Sequence, residues 1–109
     1  MAVSIENAEH YNWGNRCEGW HLLKRDEMSV IQECVPAGEA EVMHYHMIAR
    51  QFFYVLDGQG TMAFEDSNVL LETGQGIEIE PLVKHQFINR SDATCISLLF
   101  QFRPHAEIG

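Results

Sequence analysis

Short runs of β-type residues alternate with clusters of turn-forming residues from residue 20 onward, and this alternation constrains the fold more than any other feature. Pro36-Ala37-Gly38, Asp57-Gly58 and Thr73-Gly74 are typical of the separating clusters. No segment keeps a helical period over three turns. Many short strands with Gly, Pro, Asn and Asp between them predict an all-β sandwich or barrel. The predicted strands are residues 20–24, 28–35, 40–47, 51–57, 60–65, 69–72, 76–80, 84–89 and 94–102.

Residues 1–19 differ from the rest because they are rich in Asn, Glu and Gly and show no clear period. We predict that they form an irregular arm with room for one short strand, and that residues 20–109 form a single barrel domain. A chain of 109 residues is one domain by length and can bury a substantial core. The tryptophans Trp13 and Trp20 would hold the arm against the barrel.

The chain is acidic, with 16 acidic and 7 basic residues and a formal net charge of −9. A chain of this charge repels phosphate backbones and anionic lipid surfaces, so we expect neither a nucleic-acid nor a membrane partner. The first twenty residues carry charged side chains and no apolar stretch, so no signal peptide is expected. No apolar run is long enough to cross a bilayer.

Cysteine usage gives a second indication of the environment. The chain has three cysteines, Cys17, Cys34 and Cys95, and no C-x-x-C pair. An odd, sparse set predicts neither a disulfide framework nor a thiolate zinc site. Reduced thiols fit a cytoplasmic location. Cys34 and Cys95 lie within apolar runs, so we predict that both are small core residues.

Two histidines separated by one residue are the first indication of chemistry. His44 and His46 lie in a predicted strand, where residues two apart point to the same face. Two imidazoles on one face can chelate one metal ion, but an H-x-H pair alone is as often incidental as metal-binding. Gln51 begins the next predicted strand, and His85 follows much later, just after Pro81.

Segment 38–58 resembles the first conserved motif of the cupin superfamily, G-x5-H-x-H-x(3,4)-E-x6-G. Every spacing agrees, and the single departure is the glutamine that replaces the usual glutamate. Segment 74–89 resembles the second motif, G-x5-P-x-G-x2-H-x3-N, with two departures before its histidine. Together the motifs cover 38–89, about half of the chain. The matching residues are Gly38, His44, His46, Gln51 and Gly58 in the first motif and Gly74, His85 and Asn89 in the second, where Glu80 and Leu82 replace the proline and the second glycine.

The resemblance implies a double-stranded β-helix barrel of the cupin, jelly-roll-like type that encloses one divalent transition-metal ion. Its ligands, carried over residue by residue, are His44, His46, Gln51 and His85. Imidazole and amide oxygen ligands suit Mn, Fe, Co, Ni or Zn. Because a glutamine brings no charge, we expect the ion to be held more weakly than in a Glu site and to attract an anionic oxygen ligand more strongly.

The rest of the barrel axis is then the expected substrate pocket, and five residues are candidates for its wall. The four apolar candidates could equally be ordinary barrel core. The fifth is a basic residue that could pair with a substrate carboxylate or simply be a solvated chain end. The candidates are Phe53, Val55, Met62, Phe87 and Arg103.

The expected function is that of a metal-dependent small cupin. Four protein ligands on an octahedral ion leave two positions for a chelating substrate, which favours isomerase, lyase or tautomerase chemistry on a small carbonyl or sugar-acid-like compound. An oxygen-dependent reaction stays open if the metal is iron, copper or nickel. No residue is assigned to acid–base or nucleophilic roles. The alternatives are a non-catalytic module that binds a small sugar-like ligand and, last, a storage or structural cupin.

Both faces of the predicted strands 40–47 and 51–57 are largely apolar, although a sheet with one wet face should alternate apolar and polar residues. Either the N-terminal arm or a second subunit must therefore cover the outer face. We predict a homodimer built partly on Met43, Tyr45 and Phe52.

Overall fold

The turn-forming clusters mark the ends of nine strands within residues 2–104, the part of the chain that this computed structural model describes. Eight of the nine predicted runs correspond to strands, so the predicted all-β fold is confirmed. Residues 105–109 of the predicted domain lie outside the described residues. The strands are β1 (Glu9–Trp13), β2 (Cys17–Lys24), β3 (Met28–Val35), β4 (Arg50–Asp57), β5 (Gln59–Ala63), β6 (Asn68–Glu72), β7 (Gly76–Ile79), β8 (Gln86–Ile88) and β9 (Cys95–Phe102).

The strands form two antiparallel sheets. The larger has the order β1-β2-β3-β9-β4-β7, and the smaller has the order β6-β5-β8. The last strand, β9, therefore lies between β3 and β4 and joins distant parts of the chain. The two sheets enclose one core between their inner faces.

Alternation along the strands decides which residues form that core. On β4, Phe53 and Val55 are buried, whereas Phe52 is 37% exposed on the outer face. The Phe87 ring lies directly over Gly60, where any Cβ would collide with the ring. Full burial of a phenylalanine stabilises the fold by about 2–3 kcal/mol. The buried core cluster is Cys17, Val35, Phe53, Val55, Met62, Leu71, Ile79, Phe87, Cys95 and Leu99.

The N-terminal segment is more regular than the predicted arm. Strands β1 and β2 form a hairpin that pairs with β3, and β2 crosses the predicted boundary at residue 20. Trp13 packs against the core cluster. Because β1 is a short, largely exposed edge strand, its alternation is limited to half-buried Tyr11 and Trp13 on either side of exposed Asn12, which is too short a pattern to predict a strand. The division into an arm and a barrel domain stays a prediction.

The prediction of a strand over residues 40–47 was wrong. This segment makes only isolated bridges, from Ala40 to Ile88 and from His44 to His85. Because the pairing is irregular, strict alternation fails, and Val42, which lies two residues before His44, is 78% exposed. The segment nonetheless runs antiparallel to residues 82–89, which positions its histidines.

The three cysteines are free. Cys95 is buried in the core, as predicted, and so is Cys17. Burial raises the thiol pKa of both residues to about 11, so they are protonated at neutral pH. Cys34 is only half-buried, because it faces outward on β3, and the prediction of a core position for it was wrong.

Within residues 2–104 the chain contains no helix of the length and apolarity that crossing a bilayer requires.

Candidate metal centre

Two backbone hydrogen bonds bring His44 and His85 together from positions 41 residues apart. The His44 N–H donates to the His85 carbonyl at 3.0 Å, and the His85 N–H donates to the His44 carbonyl at 2.9 Å. This reciprocal pair holds the ring centroids 4.4 Å apart. The geometry is that of a hydrogen-bonded antiparallel pair, in which the two residues stand directly opposite each other.

His46 joins the pair from the next inward position of its segment. Its ring centroid lies 5.0 Å from that of His44 and 5.9 Å from that of His85. One ring nitrogen from each histidine can be chosen so that all three lie within 4.8 Å of one another. The structure thus brings together the three histidines that the sequence predicted as ligands.

The turn before His85 keeps its form although a leucine replaces the glycine. Leu82 has a φ of 73°, in the left-handed region that glycine normally supplies. Its N–H donates to the His46 carbonyl at 2.7 Å, which ties this turn to the other histidine segment. The conformation costs about 1–2 kcal/mol for a residue with a Cβ. The substitution therefore leaves the placement of the histidines intact.

Gln51 reaches the histidines from β4 and is buried. Its Oε1 lies 3.0 Å from Nε2 of His85, and its Nε2 donates to Oε1 of Gln101 at 3.0 Å. Gln101 stands directly opposite Gln51 in the β4–β9 register. This hydrogen bond turns the amide oxygen of Gln51, and not its nitrogen, toward the histidines. Sequence analysis missed Gln101, because the register between the two strands depends on tertiary pairing.

Backbone carbonyls fix the orientation of two histidine rings. Nδ1 of His44 lies 2.7 Å from the Val42 carbonyl, and Nδ1 of His85 lies 2.9 Å from the Val83 carbonyl. Because a carbonyl only accepts, Nδ1 carries the hydrogen in both rings and Nε2 presents a lone pair. Metal-binding histidines are commonly oriented in this way.

The centre consequently places acceptor atoms next to one another, with no hydrogen between them to form a hydrogen bond. Nε2 of His85 and Oε1 of Gln51 are both acceptors at 3.0 Å. Burial lowers the pKa of His85, helped by the nearby rings of His44 and His46, so a protonated ring that could donate is disfavoured. Nε2 of His46 is buried with no hydrogen-bond partner. Burial also lowers the pKa of His46, as do His44 and the charge of Arg103.

A divalent cation fits this donor set. Two ligand atoms that each lie about 2.1 Å from one ion, at right angles, are about 3.0 Å apart. That separation equals the observed distance between the His85 nitrogen and the Gln51 oxygen. An ion would satisfy both acceptors and the unpartnered nitrogen of His46.

The four apolar residues predicted to line the pocket belong to the core cluster, each at most 1% exposed. Phe53 stacks on Phe87 with ring centroids 5.7 Å apart. The Phe53 ring also lies edge-on to His85, with ring centroids 6.1 Å apart. These two rings therefore form the apolar wall beneath the centre. Val55 and Met62 do not line any of the cavities found among the described residues.

A cavity lies on the open side of the centre, away from the wall that Phe53 and Phe87 form. Its volume is about 420 Å³, and His46 and Arg103 both line it, together with Asp26. Of the five predicted pocket residues, only Arg103 lies on its wall. Arg50, which directly precedes Gln51, lies on the outer face, where it pairs with Glu78 at 2.6 Å.

Two buried carboxyl groups in the barrel were not foreseen. Glu33 lies on the inner face of β3, where burial and then the charge of Glu41 raise its pKa to about 8. Burial also raises the pKa of Glu41, against the opposing effects of His44 and of a hydrogen bond from the Phe87 N–H. Opposite Glu33 on β9, Oγ of Ser97 is buried without a partner. Nothing in the local sequence distinguishes Glu33 from a solvent-facing glutamate.

Residues 31–100 match the family model described as the cupin domain. This chain is a cupin. The match spans both histidine segments and every strand from β4 to β8. It confirms the family that the two sequence motifs indicated.

Relatives and solved structures agree with this assignment. An uncharacterized protein of Methanocaldococcus jannaschii is 23% identical over 87 residues, which cover 80% of this chain and 70% of the relative. A Thermotoga maritima structure described as a predicted oxalate decarboxylase has a TM-score of 0.87 at 17% identity, covering 95% of this cupin and 100% of that chain. A Silicibacter pomeroyi structure described as a cupin sugar phosphate isomerase has a TM-score of 0.77 at 20% identity, covering 94% and 75%. These structures show that the barrel is the double-stranded β-helix.

Proposed function

We propose that this cupin is a metal-dependent enzyme for a small oxygenated carbonyl or sugar-acid-like compound. One divalent transition-metal ion (Mn, Fe, Co, Ni or Zn) would be held by His44, His46, Gln51 and His85. The observation that carries the proposal is the pair of facing acceptors at 3.0 Å on Gln51 and His85. Without a cation the pair is repulsive, whereas with one it is a ligand pair.

A bound ion of this kind supplies Lewis acidity, which polarises a carbonyl or stabilises an enediolate. The protein supplies the rest of the site. Phe53 and Phe87 exclude water from beneath the centre, and the cavity beside His46 gives a small molecule access from the other side. Two cupins of the same fold are described as acting on oxalate and on a sugar phosphate, which supports an oxygen-rich substrate.

Removal of the metal tests this proposal. We expect turnover of a small hydroxy acid, keto acid or sugar acid to be lost after chelation and restored by a single type of ion. The identity of that ion narrows the reaction, because zinc favours isomerase, lyase or tautomerase chemistry and iron permits oxygen-dependent chemistry. A panel of such compounds that the metal-loaded protein leaves unchanged would contradict the enzymatic proposal.

A non-catalytic binding module is the second candidate. It is favoured by the partners of two rings, because Nδ1 of His44 and Nδ1 of His85 each bond a backbone carbonyl and not an acid–base side chain. An enzyme of this design would use a metal-bound or substrate group for proton transfer. Thermal stabilisation by a ligand that is recovered unchanged would identify the binding module.

We further propose that the outer face of the large sheet joins two copies of the chain. Phe52 pairs with Phe100 on this face, and a groove of about 430 Å³ lies between them and Phe102. The predicted interface residues Met43, Tyr45 and Phe52 are 40%, 49% and 37% exposed.

The size and charges of this face favour a second copy as the occupant. A face of six short strands spaced about 4.8 Å apart presents roughly 600 Å². A standard interface buries about 800 Å² per partner, so the two areas are similar. One edge carries both signs of charge, with Arg50 beside Glu78 and Glu80. Such an edge can meet its own copy across a two-fold axis without like-charge repulsion.

Light scattering at micromolar concentration tests the dimer. The native chain should show twice its mass of 12.5 kDa. The dimer of a Phe52→Glu variant should have a dissociation constant at least about tenfold higher, because the variant buries a charge in the apolar groove. Leu70→Glu is the matched control, since Leu70 is 55% exposed on the smaller sheet. A monodisperse native monomer would exclude the dimer.

The cytoplasmic location stays a proposal. It is supported by three free thiols, two of them buried and protonated.

A further inference from the structure

Basic residues are few in this chain and unevenly placed. Three of the seven, Lys24, Arg25 and Arg103, line one cavity of about 360 Å³ at the end of the barrel where β2 ends and β3 begins. Only one acidic residue, Asp26, lies on the same wall. Because the chain has a net charge of −9, its surface is negatively charged on average, and this cavity has the opposite sign of charge.

The basic cavity adjoins the metal centre. It shares Asp26 and Arg103 with the cavity that His46 lines. Gln101, whose Oε1 accepts the hydrogen bond from Gln51, also lies on its wall. Arg103 follows Gln101 by two residues, a distance of about 7 Å along an extended chain.

An unpartnered polar atom in the same cavity provides independent support. Nδ1 of His21 is buried with no hydrogen-bond partner. The ring is held in place by stacking on Tyr11, with centroids 4.9 Å apart. A buried polar atom without a partner is costly in a folded protein, so Nδ1 requires either an ordered water or a bound polar group on this side of the ring. Lys24 already pairs with Glu9 at 3.3 Å, whereas among residues 2–104 the Arg25 side chain has a hydrogen bond to the Lys24 carbonyl at 3.2 Å and no carboxylate partner.

We propose that this basic cavity binds an anionic group, carboxylate or phosphate, at the far end of a substrate whose other end faces the metal centre. The inference rests on the proposed function and makes it more specific. Arg103 and Arg25 supply charge-assisted hydrogen bonds, and His21 supplies a further polar contact. The substrate class is therefore a small acid with chelating oxygens at one end and a second anionic group at the other.

Calorimetry with manganese-loaded protein and three matched ligands tests the proposal. 2-Hydroxyglutarate carries a distal carboxylate, 3-phosphoglycerate carries a distal phosphate, and 2-hydroxypentanoate carries neither. We expect at least one of the two distal anions to improve affinity by about tenfold or more over 2-hydroxypentanoate. Whichever of these two ligands binds more tightly shows whether the cavity prefers a carboxylate or a phosphate. The preference should weaken as ionic strength rises.

Arg103→Gln and Arg25→Gln should remove most of this preference. Arg90→Gln is the control, because Arg90 is an exposed residue that precedes β9, at the opposite end from Arg103. Equal affinity for all three ligands, no binding of any, or an equal loss in the Arg90 variant would overturn the inference. Metal content, measured on the same samples, separates the two proposals. A preference for the distal anion in protein that holds no metal would support the anion site and reject the metal-dependent function.

Discussion

A His46→Ala variant should lose its metal, whereas the native chain should retain about one ion per chain when both are prepared without a metal-affinity tag. The variant removes the ring whose Nε2 is buried without a partner, so one of four ligands disappears and water takes its place. Loss of even an outer-shell partner lowers metal affinity roughly 10–100-fold, and loss of a ligand should lower it at least about 100-fold. Elemental analysis after dialysis is the measurement.

Two further variants test whether the loss of metal is specific to the metal centre. His10→Ala removes an exposed histidine of β1 that pairs with Glu18 at 3.0 Å and is not part of the metal centre, so it should keep the metal. Gln51→Glu keeps the shape of the ligand but adds a negative charge, so it should bind the ion more tightly than the native chain. Metal-free native protein, even after reconstitution, would mean that the histidines serve only the barrel.

A Glu33→Gln variant should have a free energy of unfolding that depends less on pH than that of the native chain. The native carboxyl has a pKa of about 8, against an ordinary value of 4.5, because burial and the charge of Glu41 disfavour its ionised form. Since the folded state holds this proton more firmly than the unfolded state, the contribution of Glu33 to stability is complete below pH 4.5. It declines as the pH rises to about 8 and is constant above that.

The glutamine of the variant stays neutral throughout this range. The free energy of unfolding of the variant, minus that of the native chain, should therefore rise by roughly 2–5 kcal/mol between pH 5 and pH 8.5. The groups facing Glu33 are Tyr11, whose own pKa is raised to about 12 by burial and by Glu33, and Glu41. Tyr11 stays protonated at both pH values with or without the Glu33 charge, because burial, the larger cause, already raises its pKa above 10.

Urea denaturation of metal-free protein at the two pH values measures this difference. Metal-free protein avoids a contribution from histidine ligands that release the ion as they protonate. Glu6→Gln is the control, since Glu6 is exposed and its variant should follow the native chain at both pH values. A difference between Glu33→Gln and the native chain that does not change with pH would show that Glu33 is ionised in the folded protein.

The sequence by itself determined the class of fold and indicated most of the proposed ligand set. Turn residues at close spacing indicate an all-β chain because their backbone preferences are local and act wherever the residue stands. The spacing of His44, His46 and Gln51 is likewise local, so both motifs could be recognised before any tertiary contact was known. Leu82 marks the limit of this local information, since its left-handed φ of 73° runs against the preference of a residue with a Cβ.

The tertiary structure decided everything that depends on register and burial. The pairing of Gln101 with Gln51 follows from the β4–β9 register, and the convergence of His44 and His85 follows from a bridge between irregular segments. The burial of Glu33 depends on which face of β3 turns inward. Arg103 could be read from the sequence as a solvated chain end, and only the closed barrel places it beside His46 and Arg25. These facts escape the sequence because residues distant along the chain create them, whereas propensity and spacing report only on neighbours.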